Sequence, residues 1–391
     1  MRLGTGHPTV IKVVDIINLS SSANTLLRNR VKMMRTSGID NRIICMDGPY
    51  VRSLQEEGIP VETVHLPRGY NVLKLAFSLF QVAAYLRREN IDIVHTHCSI
   101  PGFIGRLAAW VVRVPVIIHT VHGFHFHERT ATLKRHSYVL LERLAGLFVD
   151  ALLSQNSDDM EEARWHRIVP PDRLHSIGNG IDLERFRPGM QLPPADGRVT
   201  ITCVARLEAV KNHKMLFEAV RLLKERGERF KLWVIGDGEL RLKYQLLCEG
   251  MEIDHLVHFL GYRDDIPELL AQTDIAVLTS IKEGVPRTVL EAMALGIPVV
   301  ATRVKGTREV VQDGETGFTV QLGDSVGLAA KLSELMKDSA LRAKMGRRGR
   351  EIAVKRFDER AIVNSLRTIY LDLLSKKGIM RNAAIPKVVE R

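Results

Sequence analysis

Short apolar runs of the kind found in buried β-strands alternate with segments of helical periodicity along most of this chain, and the pattern occurs twice. This alternation is typical of parallel α/β units. The strand-like runs of the first set are residues 11–19, 42–46, 61–66, 91–97, 114–122 and 151–155, and those of the second are residues 199–207, 230–236, 257–261, 275–280 and 298–302. We therefore predict an α/β protein with two Rossmann-like parallel-sheet domains that face a central cleft.

The length of 391 residues also favours two domains, because one hydrophobic core seldom serves so long a chain. Residues 186–197 are rich in proline and glycine and lack periodicity, which is typical of a linker. We predict an N-terminal domain over residues 1–188, a linker over 189–198 and a C-terminal domain over 199–360. Residues 361–391 are predicted to form a helix that crosses back to the N-terminal domain, followed by a basic tail.

The composition is that of a globular protein, with 45% hydrophobic and 26% charged residues. The four cysteines are scattered without the paired spacing of a disulfide framework or a zinc ribbon. No apolar run approaches the roughly eighteen residues of a membrane span, and the first residues lack the pattern of a signal peptide. We therefore expect a cytoplasmic protein that does not cross a membrane.

The net charge of +11 indicates an anionic partner: nucleic acid, phosphates or acidic lipid. The sequence lacks an RNA-binding aromatic signature, finger spacing or a basic zipper, so we expect no nucleic-acid partner. Much of the excess recurs at helical spacing near the end of the chain, at Arg342, Lys344, Arg347, Arg348, Arg350, Lys355 and Arg356. That set is as compatible with a solvated helix face as with a binding role.

Two carboxylates follow the strand-like run at residues 274–280: Glu283, in a turn of sequence EGVPR, and Glu291 about two turns into the next helix. Pro286 suits a first helical position and Gly284 permits close approach of the backbone, so this helix should direct its amides at an anion. A carboxylate accepts hydrogen bonds from adjacent hydroxyls, which favours a sugar or a ribose as the partner of either acid. Solvated surface charge is the alternative.

Two cations follow the strand at residues 200–204: Arg206 at its end and Lys211 at the start of the next helix. A pair of fixed cations near one helix mouth suits a diphosphate, although such a pair taken alone is more often surface charge. The turn Gly236-Asp237-Gly238-Glu239 follows the next strand. Because ligands gather at the carboxyl ends of parallel strands, we expect all these residues at one edge of the second sheet.

Residues 283–302 (EGVPRTVLEAMALGIPVVAT) resemble the donor-site signature of retaining GT-B glycosyltransferases of family 4, of the bacterial polysaccharide-assembly type. The resemblance covers most of the chain and implies the GT-B fold. It also implies that Arg206 and Lys211 bind the pyrophosphate of a nucleotide sugar, that Glu291 holds the ribose hydroxyls, and that Glu283 holds the sugar hydroxyls. The donor-binding residues implied in this way are Arg206, Lys211, Gly236, Gly238, Glu283, Gly284, Val285, Pro286, Arg287, Thr288 and Glu291.

In the first domain, the strand at residues 116–121 ends in His122-Gly123, where the family pattern implies a histidine beside the donor sugar. A neutral imidazole there can hydrogen-bond a sugar hydroxyl and position the anomeric carbon. The catalytic set implied is His122, Arg206, Lys211 and Glu283. His95 and His97 end another strand, where they either order an acceptor pocket or are satisfied core histidines.

No metal site is predicted. His119, His122, His125 and His127 are close in sequence but lack supporting cysteine or carboxylate spacing, and the chain has no convincing Asp-x-Asp motif. Arg206, Lys211 and a helix dipole can stabilise a leaving diphosphate without an ion. The resemblance implies retention of configuration, by same-face attack in which the leaving phosphate accepts the acceptor's proton. We predict a metal-independent enzyme without a cofactor and, by family frequency, a UDP-sugar donor.

The chain departs from the family after the first strand, where residues 18–24 read NLSSSAN in place of a Gly-Gly loop. Ser21 and Ser22 still permit close backbone approach, and we assign them to the acceptor side with His97 and His122. Residues 24–35 are predicted to form a helix with Leu27, Val31 and Met34 on one face. Its cations, predicted to contact anionic lipid, are Arg28, Arg30, Lys32 and Arg35.

The loop at residues 124–136 is predicted to contact the same membrane surface through Phe124, Phe126, Arg129, Lys134 and Arg135. A core-packed helix with a solvated basic face is the alternative for residues 24–35. Together with the resemblance, these segments favour a polyprenyl-diphosphate-linked glycan acceptor and a protein peripheral on the inner face of the cytoplasmic membrane.

We predict a retaining hexosyltransferase that moves a sugar from a nucleotide-diphosphate donor to a glycan acceptor in bacterial exopolysaccharide, capsule or O-antigen assembly. A nucleotide-sugar epimerase or a phosphorylase could use the same two-domain architecture. A non-enzymatic basic protein that binds lipid or nucleic acid would explain the charge but leaves the two acids and two cations without a purpose.

Overall fold

The structure, a computed structural model, describes residues 10–67, 71–124, 132–189 and 197–379. They divide into two compact units. The first contains the residues up to Ile177 and those from Arg360 onward, and the second contains Gly178–Glu359. Among the helices of these residues, none is long and apolar enough to cross a bilayer.

The first unit is built around a seven-stranded parallel sheet of order β3-β2-β1-β4-β5-β6-β7. Its elements before the second unit are β1 (Lys12–Ile16), α1 (Ser20–Leu26), α2 (Arg28–Thr36), β2 (Asp40–Cys45), α3 (Val51–Glu56), β3 (Val61–Thr63), α4 (Val72–Glu89), β4 (Ile93–His97), α5 (Ser99–Val111), β5 (Val116–Val121), α6 (Thr132–Gly146), β6 (Ala151–Ser154), α7 (Ser157–Trp165) and β7 (Leu174–Ser176). Every residue of β4, β5 and β6 is buried, as expected of parallel strands covered on both faces.

The second unit is built around a six-stranded sheet of order β10-β9-β8-β11-β12-β13, also parallel in every pairing. Its elements are β8 (Val199–Val204), α8 (His213–Glu225), β9 (Phe230–Ile235), α9 (Arg241–Gly250), β10 (Val257–Gly261), α10 (Ile266–Leu270), β11 (Ile275–Leu278), α11 (Arg287–Ala294), β12 (Val299–Thr302), α12 (Thr307–Val310), β13 (Gly317–Val320), α13 (Ser325–Lys337) and α14 (Ser339–Arg356). The last helix, α15 (Glu359–Lys376), packs Val363, Leu366 and Tyr370 into the core of the first unit.

The predicted GT-B architecture of two parallel α/β domains is confirmed. The predicted strand segments are all present, but the short edge strands β7 and β13 were missed. The predicted domain boundary at residue 188 differs from the structure. Ile181 and Phe186 are buried in the core of the second unit, and the Ile181 amide donates to the Phe357 carbonyl at 2.8 Å. Most of the predicted linker, residues 190–196, lies outside the described residues.

Each sheet has one topological switch point, where the strand order reverses: β1 beside β4 in the first unit and β8 beside β11 in the second. Ligands of open α/β sheets bind outside the carboxyl ends of the strands at such points. In the second unit, Arg206 follows β8 and Glu283 follows β11, so the switch point lies between the predicted cations and the predicted acid.

Candidate active site

Lys211 and Glu283 form an ion pair at the switch point of the second unit. The Lys211 Nζ atom lies 2.6 Å from Glu283 Oε1, and the two side chains are 21% and 11% exposed. The sequence analysis placed Lys211 at the start of a helix. In the structure it ends a single 3₁₀ turn (Ala209–Lys211) that precedes α8. Thr279, after β11, fixes this turn because its hydroxyl donates to the Lys211 carbonyl at 3.2 Å. The sheet therefore brings together a cation and an anion that are far apart in sequence.

Arg206 is the more exposed of the two predicted cations. Its side chain is 60% exposed and pairs with Glu208 at 2.7 Å. An exposed ion pair of this kind contributes little stability, about 0–1 kcal/mol. Arg206 can therefore exchange the Glu208 carboxylate for a phosphate oxygen at little cost.

Close backbone packing requires glycine at positions 236 and 238, apart from the role at the nucleotide predicted for Gly236 and Gly238. A Cβ atom on Gly236 would lie 2.2 Å from the Ala205 carbonyl oxygen, and one on Gly238 would lie 2.5 Å from the Leu207 carbonyl oxygen. The Leu207 amide donates to the Asp237 carbonyl at 3.0 Å. The two glycines thus let the turn after β9 pack directly against the backbone on both sides of Arg206.

The turn after Glu283 leads directly into α11. Pro286, predicted at the first helical position, is the N-cap, so the helix begins one residue later than predicted, at Arg287. The amides of Arg287 and Thr288 come before that of Val289, which donates to the Pro286 carbonyl at 3.1 Å, so they have no acceptor within the helix and point out of its amino end. Together with the helix dipole, they form a favourable position for an anion next to Glu283.

Two residues that sequence reasoning did not assign hold this turn in place. The side-chain amide of Asn179 donates to the Val285 carbonyl at 2.9 Å. Gly306, with a positive φ of 77°, packs so closely that a Cβ atom there would lie 1.2 Å from the Gly284 carbonyl oxygen. Neither lies in the turn itself; the only sequence signal for Gly306 is an isolated glycine after β12.

Glu291 lies just over one turn into α11, closer to its start than predicted, and its side chain is buried. Burial raises the pKa of Glu291, although the nearby Arg287 and Arg185 guanidinium groups act in the opposite direction. A buried carboxylate needs hydrogen-bond donors to offset its lost hydration. Vicinal hydroxyls, such as those of a ribose, are donors of that kind.

In the first unit, His122 belongs to a chain of hydrogen-bonded side chains that reaches into the core. Its Nε2 atom lies 2.9 Å from His97 Nδ1, and its Nδ1 atom lies 3.1 Å from Gln155 Oε1. His97 Nε2 lies 2.9 Å from Asp15 Oδ1, and the Arg30 guanidinium also pairs with Asp15. The structure therefore brings together His97 and His122, both assigned to the acceptor side, and adds Asp15 and Arg30 behind them.

The Asp15 carboxylate stays ionised in this setting. Burial alone would raise its pKa, but the Arg30 charge and the His97 hydrogen bond outweigh burial and lower it. Burial lowers the pKa of His97 despite its bond to Asp15, and lowers the pKa of His95 and His119 well below the usual value. His95, His97 and His119 are therefore neutral near pH 7.

Asp15, His95 and His97 also lie close enough to share a metal ion, since one ligand atom from each falls within 4.8 Å of the others. Hydrogen bonds already engage the ring nitrogens of both histidines and the Oδ1 atom of Asp15. His95 contacts the Tyr370 hydroxyl through Nδ1 and the Thr120 hydroxyl through Nε2, both at 2.6 Å. The Arg30 guanidinium beside Asp15 also repels a second cation. The donor set fits the observed network better than it fits a metal.

The predicted acceptor loop and lipid-contacting helix are corrected. Ser21 and Ser22 lie in the first turn of α1 and not in a loop, and the predicted helix at residues 24–35 is divided at Leu27. The four cations of α2 pair with acids of the same unit: Arg28 and Lys32 with Glu57, Arg35 with Asp40, and Arg30 with Asp15. Leu27, Val31 and Met34 are buried, which agrees with the alternative of a core-packed helix.

Of the other predicted membrane residues, Phe124 is buried, and Arg135 lies 3.5 Å from Glu162. Phe126 and Arg129, with His125 and His127, lie outside the described residues. Arg30, 12% exposed, is wrong as a lipid contact because its charge is directed inward.

Part of the basic series near the end of the chain is structural. The Arg350 guanidinium donates to the Ala294 carbonyl at 2.5 Å and so caps the carboxyl end of α11. Arg342 donates in the same way to the Leu335 carbonyl at 2.6 Å, at the end of α13. A cation at a helix carboxyl end satisfies unpaired carbonyls and opposes the helix dipole.

The comparisons with known proteins agree with this fold. Residues 23–180 match the family model described as a glycosyl transferase 4-like domain, and residues 190–352 match that of glycosyl transferases group 1. The putative glycosyltransferase EpsD of Bacillus subtilis is 34% identical over 302 residues, which cover 74% of this chain and 79% of EpsD. The UDP-Gal:alpha-D-GlcNAc-diphosphoundecaprenol alpha-1,3-galactosyltransferase of Escherichia coli is 29% identical over 93% of this chain and 97% of its own.

Among solved structures, that of Anabaena HepE in complex with UDP and glucose aligns with a TM-score of 0.79 and 20% identity, covering 92% of this chain and 99% of HepE. Fold and family matches together define a GT-B glycosyltransferase. The chain belongs to glycosyltransferase family 4, whose members similar to it include enzymes of capsular polysaccharide and lipopolysaccharide core biosynthesis. The non-enzymatic alternative is therefore set aside.

Proposed function

We propose that this protein is a retaining, metal-independent glycosyltransferase that moves a hexose from a UDP-sugar to a polyprenyl-diphosphate-linked glycan. The observation that carries the proposal is the convergence of the Lys211–Glu283 pair with the amino end of α11 at the switch point of the second sheet. The E. coli relative, whose name specifies a UDP-galactose donor and a diphosphoundecaprenol-linked acceptor, and the UDP-bound HepE structure support the substrate classes.

In this proposal, different residues of the second unit bind the ribose, the sugar and the diphosphate of the donor. The Glu291 carboxylate accepts hydrogen bonds from the ribose, and the Glu283 carboxylate accepts them from the sugar. Lys211, Arg206 and the amides of Arg287 and Thr288 surround the diphosphate. As the bond from the sugar to the phosphate breaks, negative charge grows on the diphosphate and these fixed donors stabilise it.

In this proposal the acceptor hydroxyl attacks from the face that the diphosphate leaves, and a phosphate oxygen takes its proton. Configuration at the anomeric carbon is therefore retained. We assign His122, in the first unit, to a hydroxyl of the transferred sugar. Peripheral association with the inner face of the cytoplasmic membrane gives access to the lipid-linked acceptor.

Thermal unfolding with UDP, GDP and ADP tests the donor site, because a ligand that binds only the folded state raises the melting temperature. We expect a selective shift with UDP that is lost in Glu291→Ala and Arg206→Ala. Arg221→Ala is the matched control, since Arg221 is also an exposed, ion-paired arginine but lies on α8 away from the switch point. No shift with any nucleotide contradicts the proposal.

Product analysis tests the reaction. With a UDP-sugar and a polyprenyl-diphosphate-linked acceptor, we expect glycosylated lipid whose new linkage keeps the donor's α configuration, with no loss of rate in a chelator. Release of an epimerised nucleotide sugar without transfer would indicate an epimerase. A product of inverted configuration would overturn the mechanism.

A further inference from the structure

The surface formed by α4, α5 and α6 of the first unit exposes many large apolar side chains. Leu73 is 83% exposed, Phe80 is 72% exposed and Leu133 is 86% exposed. Others on the same helices are Val72, Phe77, Trp110, Val111, Leu140, Leu141 and Leu144. Single exposed apolar residues are ordinary, but clusters of this kind mark sites that contact a protein or a membrane.

An apolar groove of about 300 Å³ lies between these three helices. Leu75 and Leu79 of α4, Ile100, Phe103 and Leu107 of α5, and Leu141 of α6 line it. The first half of α4 is apolar nearly all round: one side faces the groove, while Leu73, Phe77 and Phe80 are exposed. A helix of that composition requires an apolar environment on more than one side.

The three helices carry more basic than acidic residues. The three helices carry only two acidic residues, Glu89 and Glu142, and each is paired, with Arg42 at 2.7 Å and with Arg106 at 3.4 Å. Their basic residues are Lys74, Arg87, Arg88, Arg106, Lys134, Arg135 and Arg143. Arg88, Arg106 and Arg135 pair with acids of the same unit, whereas Lys74, Arg87 and Arg143 are exposed. Apolar side chains beside an excess of lysine and arginine complement a membrane that contains anionic lipid.

Arg106 gives an independent indication of a ligand. It lines the groove, is 1% exposed, and donates to the Gly102 carbonyl and to Glu142. Its Nη1 atom is buried and has no hydrogen-bond partner among the residues that the structure describes. An unsatisfied guanidinium N–H beside an apolar groove is unfavourable, and an oxygen atom of an amphiphilic ligand would satisfy it.

We propose that α4, α5 and α6 form a docking surface for a bilayer containing anionic lipid, and that the groove between them takes the hydrocarbon chain of one lipid. This inference rests on the proposed lipid-linked acceptor. It places membrane contact on α4 and α6, which expose Leu73 and Leu133, in place of α2, whose apolar residues Val31 and Met34 are buried. A lipid fits better than a protein partner because the groove offers few polar groups to fix a partner's orientation.

Vesicle flotation tests the surface, with vesicles of phosphatidylglycerol and phosphatidylcholine and with pure phosphatidylcholine vesicles. The variant Leu73→Ser/Phe77→Ser removes two exposed side chains one turn apart on α4. Leu242→Ser/Leu246→Ser on α9 is the matched control, with the same spacing and exposures of 68% and 57%. We expect wild type and control to float with the anionic vesicles, and the α4 variant to lose on the order of tenfold in affinity or more.

The groove is tested separately with a short, soluble prenyl diphosphate. Ala76 lines the groove and is itself exposed, so Ala76→Trp fills the groove without disturbing the core. We expect the ligand to raise the melting temperature of the wild type but not of Ala76→Trp. Equal shifts in both proteins would overturn the groove assignment.

The outcomes separate this inference from the proposed function. Stabilisation by UDP without flotation overturns the docking surface alone, whereas flotation without stabilisation by any nucleotide overturns the proposed function alone. A change of oligomeric state in the α4 variant, with flotation of the wild type absent, would identify the surface as an interface between copies of this chain and would also overturn the inference.

Discussion

The Lys211 ammonium lies 2.6 Å from the Glu283 carboxylate, so two residues 72 positions apart hold each other at the carboxyl edge of the second sheet. Both side chains are largely buried, and the pair presents one charge of each sign at the site proposed for the donor. The cation suits the diphosphate and the anion suits the sugar hydroxyls. The same contact fixes both groups before a ligand arrives, which lowers the cost of ordering them on binding.

The pair should act as a unit in catalysis. We expect Lys211→Met to lower kcat/KM by roughly 10²–10³, because it removes a fixed charge from the leaving group. Glu283→Gln should also lower kcat/KM, and the double variant should lose less than the sum of the two in free energy, as expected for residues in contact. Lys214→Met, at an exposed ion-paired lysine of α8, is the control. Wild-type activity in Lys211→Met would contradict the assignment.

Gly306 lies outside the turn that carries Glu283, but its lack of a side chain should be necessary for the position of that turn. Gly306→Ala places a methyl group on the Gly284 carbonyl and must displace the turn that carries Glu283. Gly314 is a matched control, because it has the same φ of 77° but nothing within 4 Å of a Cβ atom. Both variants carry the cost of a left-handed alanine, about 1 kcal/mol. We expect only Gly306→Ala to lose stabilisation by UDP; equal loss in both would show that the contact with Gly284 is unimportant.

The sequence was sufficient for the fold and for the placement of Arg206, Lys211 and Glu283 at one edge of the second sheet, since both depend on local signals. Strand-forming runs, helix periods and the turn before α11 are read from neighbouring residues, and strand ends of parallel sheets meet at one edge. The edge strands β7 and β13 were not predicted, because strands of three or four residues carry almost no periodic signal.

Pairings between distant segments could not be predicted in this way. The sequence showed Arg28, Arg30, Lys32 and Arg35 as a basic helix face, but their acidic partners come from elsewhere in the unit. The same holds for His95, whose partner Tyr370 lies on α15. A charged residue in the sequence can bind a partner only if the tertiary structure leaves it without an ion pair.

The Asp15–Arg30 ion pair should contribute far more to stability than the Arg28–Glu57 pair, although both arginines lie on α2. Asp15→Asn leaves the Arg30 guanidinium, 12% exposed, without its anion, and we expect a loss of about 3–5 kcal/mol in the free energy of unfolding. Asp15→Asn/Arg30→Met should recover part of it. Arg28→Ala, which breaks a more exposed pair, should cost at most about 1 kcal/mol. Denaturant titration of the wild type and the three variants measures these losses. Equal losses in Asp15→Asn and Arg28→Ala would contradict the prediction.

His213 should make stability depend on pH. Its imidazole is fully buried beside Phe217 and Tyr244, and burial lowers its pKa from 6.5 to about 4. Between pH 6.5 and 4 the unfolded chain binds a proton at this residue and the folded chain does not. Its contribution is therefore fully present above pH 6.5 and is lost as the pH falls, by about 3 kcal/mol at the lower limit. We expect His213→Phe to flatten the decline of the unfolding free energy between pH 6.5 and 4.5. Lys214→Met, at the exposed neighbouring lysine, is the control and should leave the pH dependence of the unfolding free energy unchanged. The same pH dependence in His213→Phe and in the wild type would show that His213 is not the group responsible.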